Sequence, residues 1–127
     1  MINNQKKELW ELCKAHTRKK YGTACFTCGT ICGVLHTGHF IPSSVCGALL
    51  RYHPHNLATQ CEHCNIALSG NVNIYEKRLR EKIGDKKVDA LFRLKHKSVK
   101  ADSIFLQTLI DIYKKGDEEK IVAFLEK

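Results

Sequence analysis

No apolar run in this 127-residue chain approaches the roughly 18 residues that a membrane-spanning helix requires, so no such helix is expected. The N-terminal Met-Ile-Asn-Asn-Gln-Lys-Lys leads straight into a polar amphipathic pattern and lacks the apolar centre of a signal peptide. The expectation is a soluble, cytoplasmic protein with no membrane partner. Internal repeats and low-complexity tracts are missing as well. Aromatic side chains are scarce, at 8%, which argues against a stacking platform for single-stranded nucleic acid. Acidic residues are the scarce charge: 13 Asp and Glu face 21 Lys and Arg, a net charge of +8.

What is present fits one ordinary domain, and a hydrophobic content of 43% is enough for a core. The surplus of positive charge favours a polyanionic partner, because each neutralised phosphate releases condensed counterions. A solvated basic face has the same composition, so charge gains meaning only beside motifs.

Seven cysteines, an odd number, argue against a disulfide framework in a reducing compartment. Four of them form Cys25-x-x-Cys28 and Cys61-x-x-Cys64. Each pair can present two thiolates to one ion from a tight turn, and two pairs complete a tetrahedral Cys₄ shell for zinc. The 32 residues between the pairs exceed what a simple zinc ribbon prefers. Something is therefore built between the knuckles, and zinc closes the loop that holds it. Such a shell is structural, since no coordination position is left for substrate. Cys13, Cys32 and Cys46 read as small buried hydrophobes, with Cys32 a rival ligand through its closeness to Cys28.

Along the chain, residues 2–20 read as a helix with Ile2, Leu9, Leu12, Cys13 and His16 on one face, ending at Tyr21-Gly22. A hairpin or irregular β segment is expected over roughly 30–41, then loops at Pro42-Ser43-Ser44 and Pro54. From Cys61 the helical period returns through Ile66, Leu68, Ile74, Tyr75, Leu79 and Ile83, broken at Ser69-Gly70-Asn71. Further helices follow over Val88–Leu94, over Ile104–Tyr113, and after Asp117 as a cap. The division is an N-terminal helix over 1–22, a metal-bound core over 23–83, and a C-terminal helical extension over 84–127. The class is α+β.

Between the knuckles stand Leu35-His36-Thr37-Gly38-His39-Phe40-Ile41-Pro42 and His55-Asn56-Leu57, and Cys64 is followed by Asn65. The order resembles the zinc-containing HNH endonucleases, and more narrowly the phage NinG (Rap) recombination endonucleases. The narrower likeness includes Gly38-His39-Phe40, Leu50-Arg51-Tyr52, Asn56, Gln60-Cys61, Cys64-Asn65, Ser69-Gly70-Asn71 and Tyr75, over roughly residues 22–92. It implies a zinc-stapled ββα-metal (HNH) core wrapped by N- and C-terminal helices. The implied activity is metal-dependent cleavage of DNA, of branched or single-stranded recombination intermediates such as Holliday junctions and D-loops, in a bacterial host cell.

The residues suit that chemistry. Phosphodiester cleavage needs an activated water and stabilised charge at the phosphate and leaving oxygen. His39, beside a residue with no side chain, can act as general base near neutral pH. By the resemblance, Asn56 orients its imidazole and Asn65 is a ligand of the catalytic divalent ion. Many HNH enzymes carry a further ligand just before the base, where Gly38 stands here; His36 is the substitute. An imidazole and an amide make a softer, less charged site than a carboxylate, so manganese or another divalent ion stands beside magnesium. Arg51 and the cluster Lys77, Arg78, Arg80 and Lys82 are candidate phosphate contacts. Nothing reads bases in a major groove, so selectivity is expected from DNA shape. His53, His55, His63 and His96 read as surface or supporting residues. Two coordinated cuts at a junction suit a homodimer, with the C-terminal helices as its interface. The alternatives are a non-catalytic zinc module that binds DNA or protein, and an HNH scaffold whose Gly38 marks lost activity.

Overall fold

The computed structural model describes residues 1–45 and 47–127. Helix α1 (Ile2–Tyr21) is followed by strand β1 (Leu35–His39), the short helix α2 (Ala48–Arg51), a 3₁₀ turn (Pro54–Asn56), strand β2 (Leu57–Cys61) and a π-helical turn (His63–Ala67). Four helices complete the chain: α3 (Val72–Ile83), α4 (Asp85–Leu94), α5 (Ser103–Lys115) and α6 (Glu118–Leu125). The class is α+β, as expected. Among the described residues no helix is long and apolar enough to cross a membrane.

Helix α1 buries Gln5, Leu9, Cys13 and Thr17, a four-residue spacing that keeps one face inward. That stripe packs on α5, which offers Leu106, Leu109, Ile110 and Tyr113. Ile2 lies exposed, outside the buried stripe. Arg18, Lys19 and Lys20 occupy the last turn, where the helix dipole favours positive charge. Asp102 caps α5 by accepting the Phe105 N–H at 2.9 Å. Asp117 caps α6 through the Lys120 N–H, as its position in the sequence suggests.

The sheet corrects the expectation of a hairpin over 30–41. That segment supplies only β1, whose antiparallel partner is β2, beyond α2 and the 3₁₀ turn. His36 lies opposite Gln60, Gly38 opposite Ala58, and His39 opposite Leu57. All five residues of β2 are buried, so no polar alternation marks it as a strand in the sequence.

One core draws on Leu9 and Cys13, on Phe40, Leu50, Leu57 and Tyr75, and on Leu91, Leu109 and Ile121. The segments 1–22, 23–83 and 84–127 share it, so the boundaries at 22 and 84 mark changes of pattern and not separate cores. Each fully buried Leu or Ile contributes about 1.5–3 kcal/mol. Ile66, Leu68, Ile74 and Ile104, read as apolar helix positions, are exposed, because they fall on the outer side of a turn or a first helical turn. Cys13 is buried as expected, Cys32 is exposed, and Cys46 lies outside the described residues.

Candidate functional site

The two Cys-x-x-Cys turns converge. The sulfurs of Cys25, Cys28, Cys61 and Cys64 all lie within 4.8 Å of one another, positioned to bind a metal ion. Four sulfurs at about 2.3 Å from one zinc stand about 3.8 Å apart, and Cys28 Sγ lies 3.7 Å from Cys61 Sγ. Backbone N–H groups support the thiolates: Cys28 N–H donates to Cys25 Sγ at 3.5 Å and Cys64 N–H to Cys61 Sγ at 3.4 Å. Burial pushes the Cys25 thiol up, but a hydrogen bond with Thr27 and backbone N–H donors outweigh it and bring the pKa down to about 6. A backbone hydrogen bond at Thr30 favours the Cys28 thiolate, yet burial and the neighbouring thiols push that group up to about 12. Crowded thiols cannot all ionise without a cation among them, and the donor set is compatible with zinc.

His39 ends β1, within the segment that the two Cys-x-x-Cys turns enclose. Its ring lies parallel to the Trp10 indole, 5.3 Å between centroids and 7° between planes. Its Nε2 is 3.0 Å from the main-chain carbonyl oxygen of Arg51. A carbonyl only accepts, so Nε2 carries the proton and the neutral ring has its lone pair on Nδ1. Nδ1 takes no hydrogen bond among the described residues. Burial lowers the His39 pKa below the ordinary histidine value; the Arg51 carbonyl opposes this, and the Arg51 charge adds to it. The imidazole is therefore neutral at neutral pH, as a general base must be.

Asn56 does not touch that ring, a correction to its expected role. Its Oδ1 accepts the Ile41 N–H at 2.7 Å, and its Nδ2 donates to the carbonyls of Ile41 and Leu50, both at 3.1 Å. Asn56 thus ties the exit of β1 to the loop whose next carbonyl, that of Arg51, holds the imidazole. Its hydrogen bonds fix the backbone around the imidazole without touching the ring.

Side chains alternate across a strand, so His36 and Gly38 face one side of β1 and His39 the other. On the Gly38 side a Cβ would lie 1.9 Å from Gln60 Oε1 and 3.1 Å from Asn65 Oδ1. Only glycine leaves that space open. Gln60 is fully buried; its Nε2 donates to the Gly70 carbonyl at 2.9 Å and to Thr27 Oγ1 at 3.2 Å. Its Oε1 and the Nε2 of His36 are buried atoms with no partner among the described residues. A buried polar atom left unpaired costs about 1–3 kcal/mol, so two on one face of the sheet mark a place where a water or a ligand would pair them. The structure thus brings His36 and the Asn65 amide to one face of β1 and turns His39 to the other.

The sequence motif Ser69-Gly70-Asn71 supports both sites. All three residues have positive φ, 49°, 93° and 49°. This break turns the Gly70 carbonyl onto Gln60 and brings Asn71 Nδ2 within 3.6 Å of Cys64 Sγ. Tyr75, fully buried, donates from its hydroxyl to the Gly38 carbonyl at 2.9 Å.

The basic residues divide. Arg80 is corrected as a free phosphate contact: Glu76, Asp85 and Asp89 hold its guanidinium at 2.9–3.0 Å. Arg78 Nε donates to the Thr27 carbonyl at 2.8 Å, bracing the first knuckle. Lys77 is exposed, and Arg51 stands close enough to His39 to act on its pKa.

His53 and His55, read as surface or supporting residues, are buried beneath α6. His53, His55 and Glu126 also bring ligand-type atoms within 4.8 Å. His53 Nδ1, however, accepts the His55 N–H at 3.1 Å, which leaves the proton on Nε2, 2.8 Å from Glu126 Oε2. This is a hydrogen-bonded clasp. Sequence reasoning gave no role to Gln60, Trp10, Glu118 or Glu126; only Gln60 had a signal, its place within the motif before Cys61.

A family model described as Bacteriophage Lambda NinG protein matches residues 2–120. No curated protein and no solved structure matches the chain.

Proposed function

The chain belongs to the NinG family, and on that premise we propose that it is a metal-dependent endonuclease that hydrolyses phosphodiester bonds in DNA. The order of strand, long loop, strand and helical turn agrees with the ββα arrangement that the HNH resemblance implies. Branched or single-stranded recombination intermediates are the proposed substrate class, resting on the resemblance to phage recombination endonucleases. Zinc in the four-cysteine site fixes the segment between the knuckles.

One observation carries the reading: His39 Nε2 is committed to the Arg51 carbonyl, which leaves Nδ1 as the basic nitrogen of a neutral ring. From there Nδ1 takes the proton of the attacking water. Trp10 and the Arg51 carbonyl keep the ring plane and tautomer fixed through that transfer. The Arg51 guanidinium offers positive charge to the phosphate beside the base. Asn65, with His36, would hold the catalytic divalent ion, magnesium or manganese, on the Gly38 side of β1. Such an ion would neutralise charge at the phosphate and stabilise the leaving oxygen.

The lean of His39 and Asn65 to opposite sides of the strand favours a second reading, a metal-held DNA-binding module without cleavage. One experiment separates the two. Supercoiled plasmid and a four-way junction are incubated with the protein in magnesium, manganese or EDTA, alongside His39→Ala. Metal-dependent nicking that falls about 10²–10⁴-fold in the variant supports the nuclease. DNA binding with no cleavage in any metal overturns it.

A further inference from the structure

The Gln60 side chain is fixed in one orientation. Of its two amide atoms, only nitrogen can face the Gly70 carbonyl at 2.9 Å, because that carbonyl cannot donate. The same nitrogen donates its second hydrogen to Thr27 Oγ1. The oxygen consequently points over Gly38 with no donor to meet it, although the residue is fully buried. It shares that space with Asn65 Oδ1, since both lie within 3.1 Å of the point a Gly38 Cβ would occupy. Directly across the sheet from Gln60 stands His36, whose buried Nε2 is also unpartnered.

From this convergence we infer that Gln60 is a ligand of the divalent ion, completing with Asn65 and His36 an O, O, N donor set around the space left by Gly38. The inference rests on the proposed nuclease reading and extends it. Two amide oxygens suit a hard cation, and one imidazole suits manganese as well as magnesium. None of the three ligands is a carboxylate. The ion's charge is therefore balanced by a phosphate of the bound DNA, and the site holds its metal weakly until DNA arrives.

The test measures Mn²⁺ binding to the zinc-loaded full chain by electron paramagnetic resonance, with and without a short DNA duplex. Wild type is expected to bind one Mn²⁺ per chain, at least about tenfold more tightly with DNA present. Gln60→Leu is expected to weaken the DNA-dependent binding about tenfold or more, while the DNA affinity of the zinc-loaded chain without added Mn²⁺ stays unchanged. Gln60→Glu covers the case of a misfolded leucine variant: a carboxylate at this position should tighten Mn²⁺ binding without DNA. His39→Ala, which keeps all three ligands, should bind Mn²⁺ as wild type does. Wild-type Mn²⁺ affinity in both Gln60 variants overturns the assignment, as does a wild type that binds no Mn²⁺ with DNA. The nuclease reading fails separately: a chain that binds Mn²⁺ through Gln60 yet cuts no DNA keeps this site and loses the activity.

Discussion

Gly38 shows how one missing side chain organises a site. Its neighbours are the buried amide of Gln60 and the amide of Asn65, both within 3.1 Å of where a Cβ would be. Gly38→Ala would put a methyl group 1.9 Å from Gln60 Oε1. That amide cannot swing aside without breaking its bonds to the Gly70 carbonyl and Thr27. The substitution is expected to destabilise the fold by about 1–3 kcal/mol, the usual cost of overpacking a filled interior, measured as a lower denaturant midpoint. If the clash is the cause, adding Gln60→Ala removes the penalty, so that Gly38→Ala costs nothing in that background. A cost that stays the same in both backgrounds would place its origin in the backbone of β1 instead. The unpartnered oxygen and the absent Cβ are thus one feature seen from two strands.

At the scale of elements, the four-cysteine site and the helical core are distinct bodies. Cys25, Cys61 and Cys64 form their own buried cluster with Leu35, separate from the core that unites α1 with α3–α6. Removing the metal should accordingly leave the helices in place and free the knuckles, unlike a zinc finger that unfolds outright. With Cys28→Ser or a strong chelator, the far-UV circular dichroism of the helices should persist while amide exchange accelerates over 25–39 and 57–71. Global loss of helical signal would show that the core depends on the metal. The same division explains what was legible beforehand. Cys-x-x-Cys spacing and the helical period of α3–α6 are local patterns, so the metal ligands and most helices could be read directly. The β1–β2 pairing could not, because its strands are separated by a loop and β2 carries no alternation. Four-residue α2 is too short to leave a period. His39 drew attention by its company in the sequence, but its partner is a main-chain carbonyl, which no side chain announces. Asn56 was found and misassigned, since sequence order places it near the imidazole while its hydrogen bonds go to the backbone of Ile41 and Leu50.

Across the whole molecule, α6 closes the chain back onto the loop that positions His39. Glu126 holds His53 at 2.8 Å, and Glu118 joins His16, at 2.8 Å, and Lys20, at 2.9 Å, from α1 and lies 3.7 Å from His55. Tyr113 of α5 donates from its hydroxyl to the Tyr52 carbonyl in the same loop. These contacts make stability depend on pH in one direction. Burial lowers the His53 pKa, outweighing the hydrogen bond to Glu126, so the folded protein keeps this ring neutral where an unfolded chain would take a proton. Its contribution is complete above the unfolded histidine value of about 6.5 and is lost as pH falls toward the lower folded value. Hydrogen bonds to His16 hold the Glu118 carboxyl far below the usual range, and the hydrogen bond to His53 lowers that of Glu126. Those contributions are complete above about 4.3 and are lost as pH falls further. The melting temperature should therefore decline in two stages on acidification, first below about pH 6.5 and again below about 4.3. His53→Gln should flatten the first stage and shrink the second only by the Glu126 share, because the Glu118 contacts with His16 and Lys20 remain; His39, also depressed by burial, keeps some slope in the first. A melting temperature that rises as pH drops from 7 to 5 would reverse the sign and show that these histidines fold protonated. Since the loop clasped by α6 carries both Arg51 and Asn56, acid that loosens the clasp also frees the carbonyl that fixes the His39 tautomer, tying the stability of the C-terminal helix to the site at the end of β1.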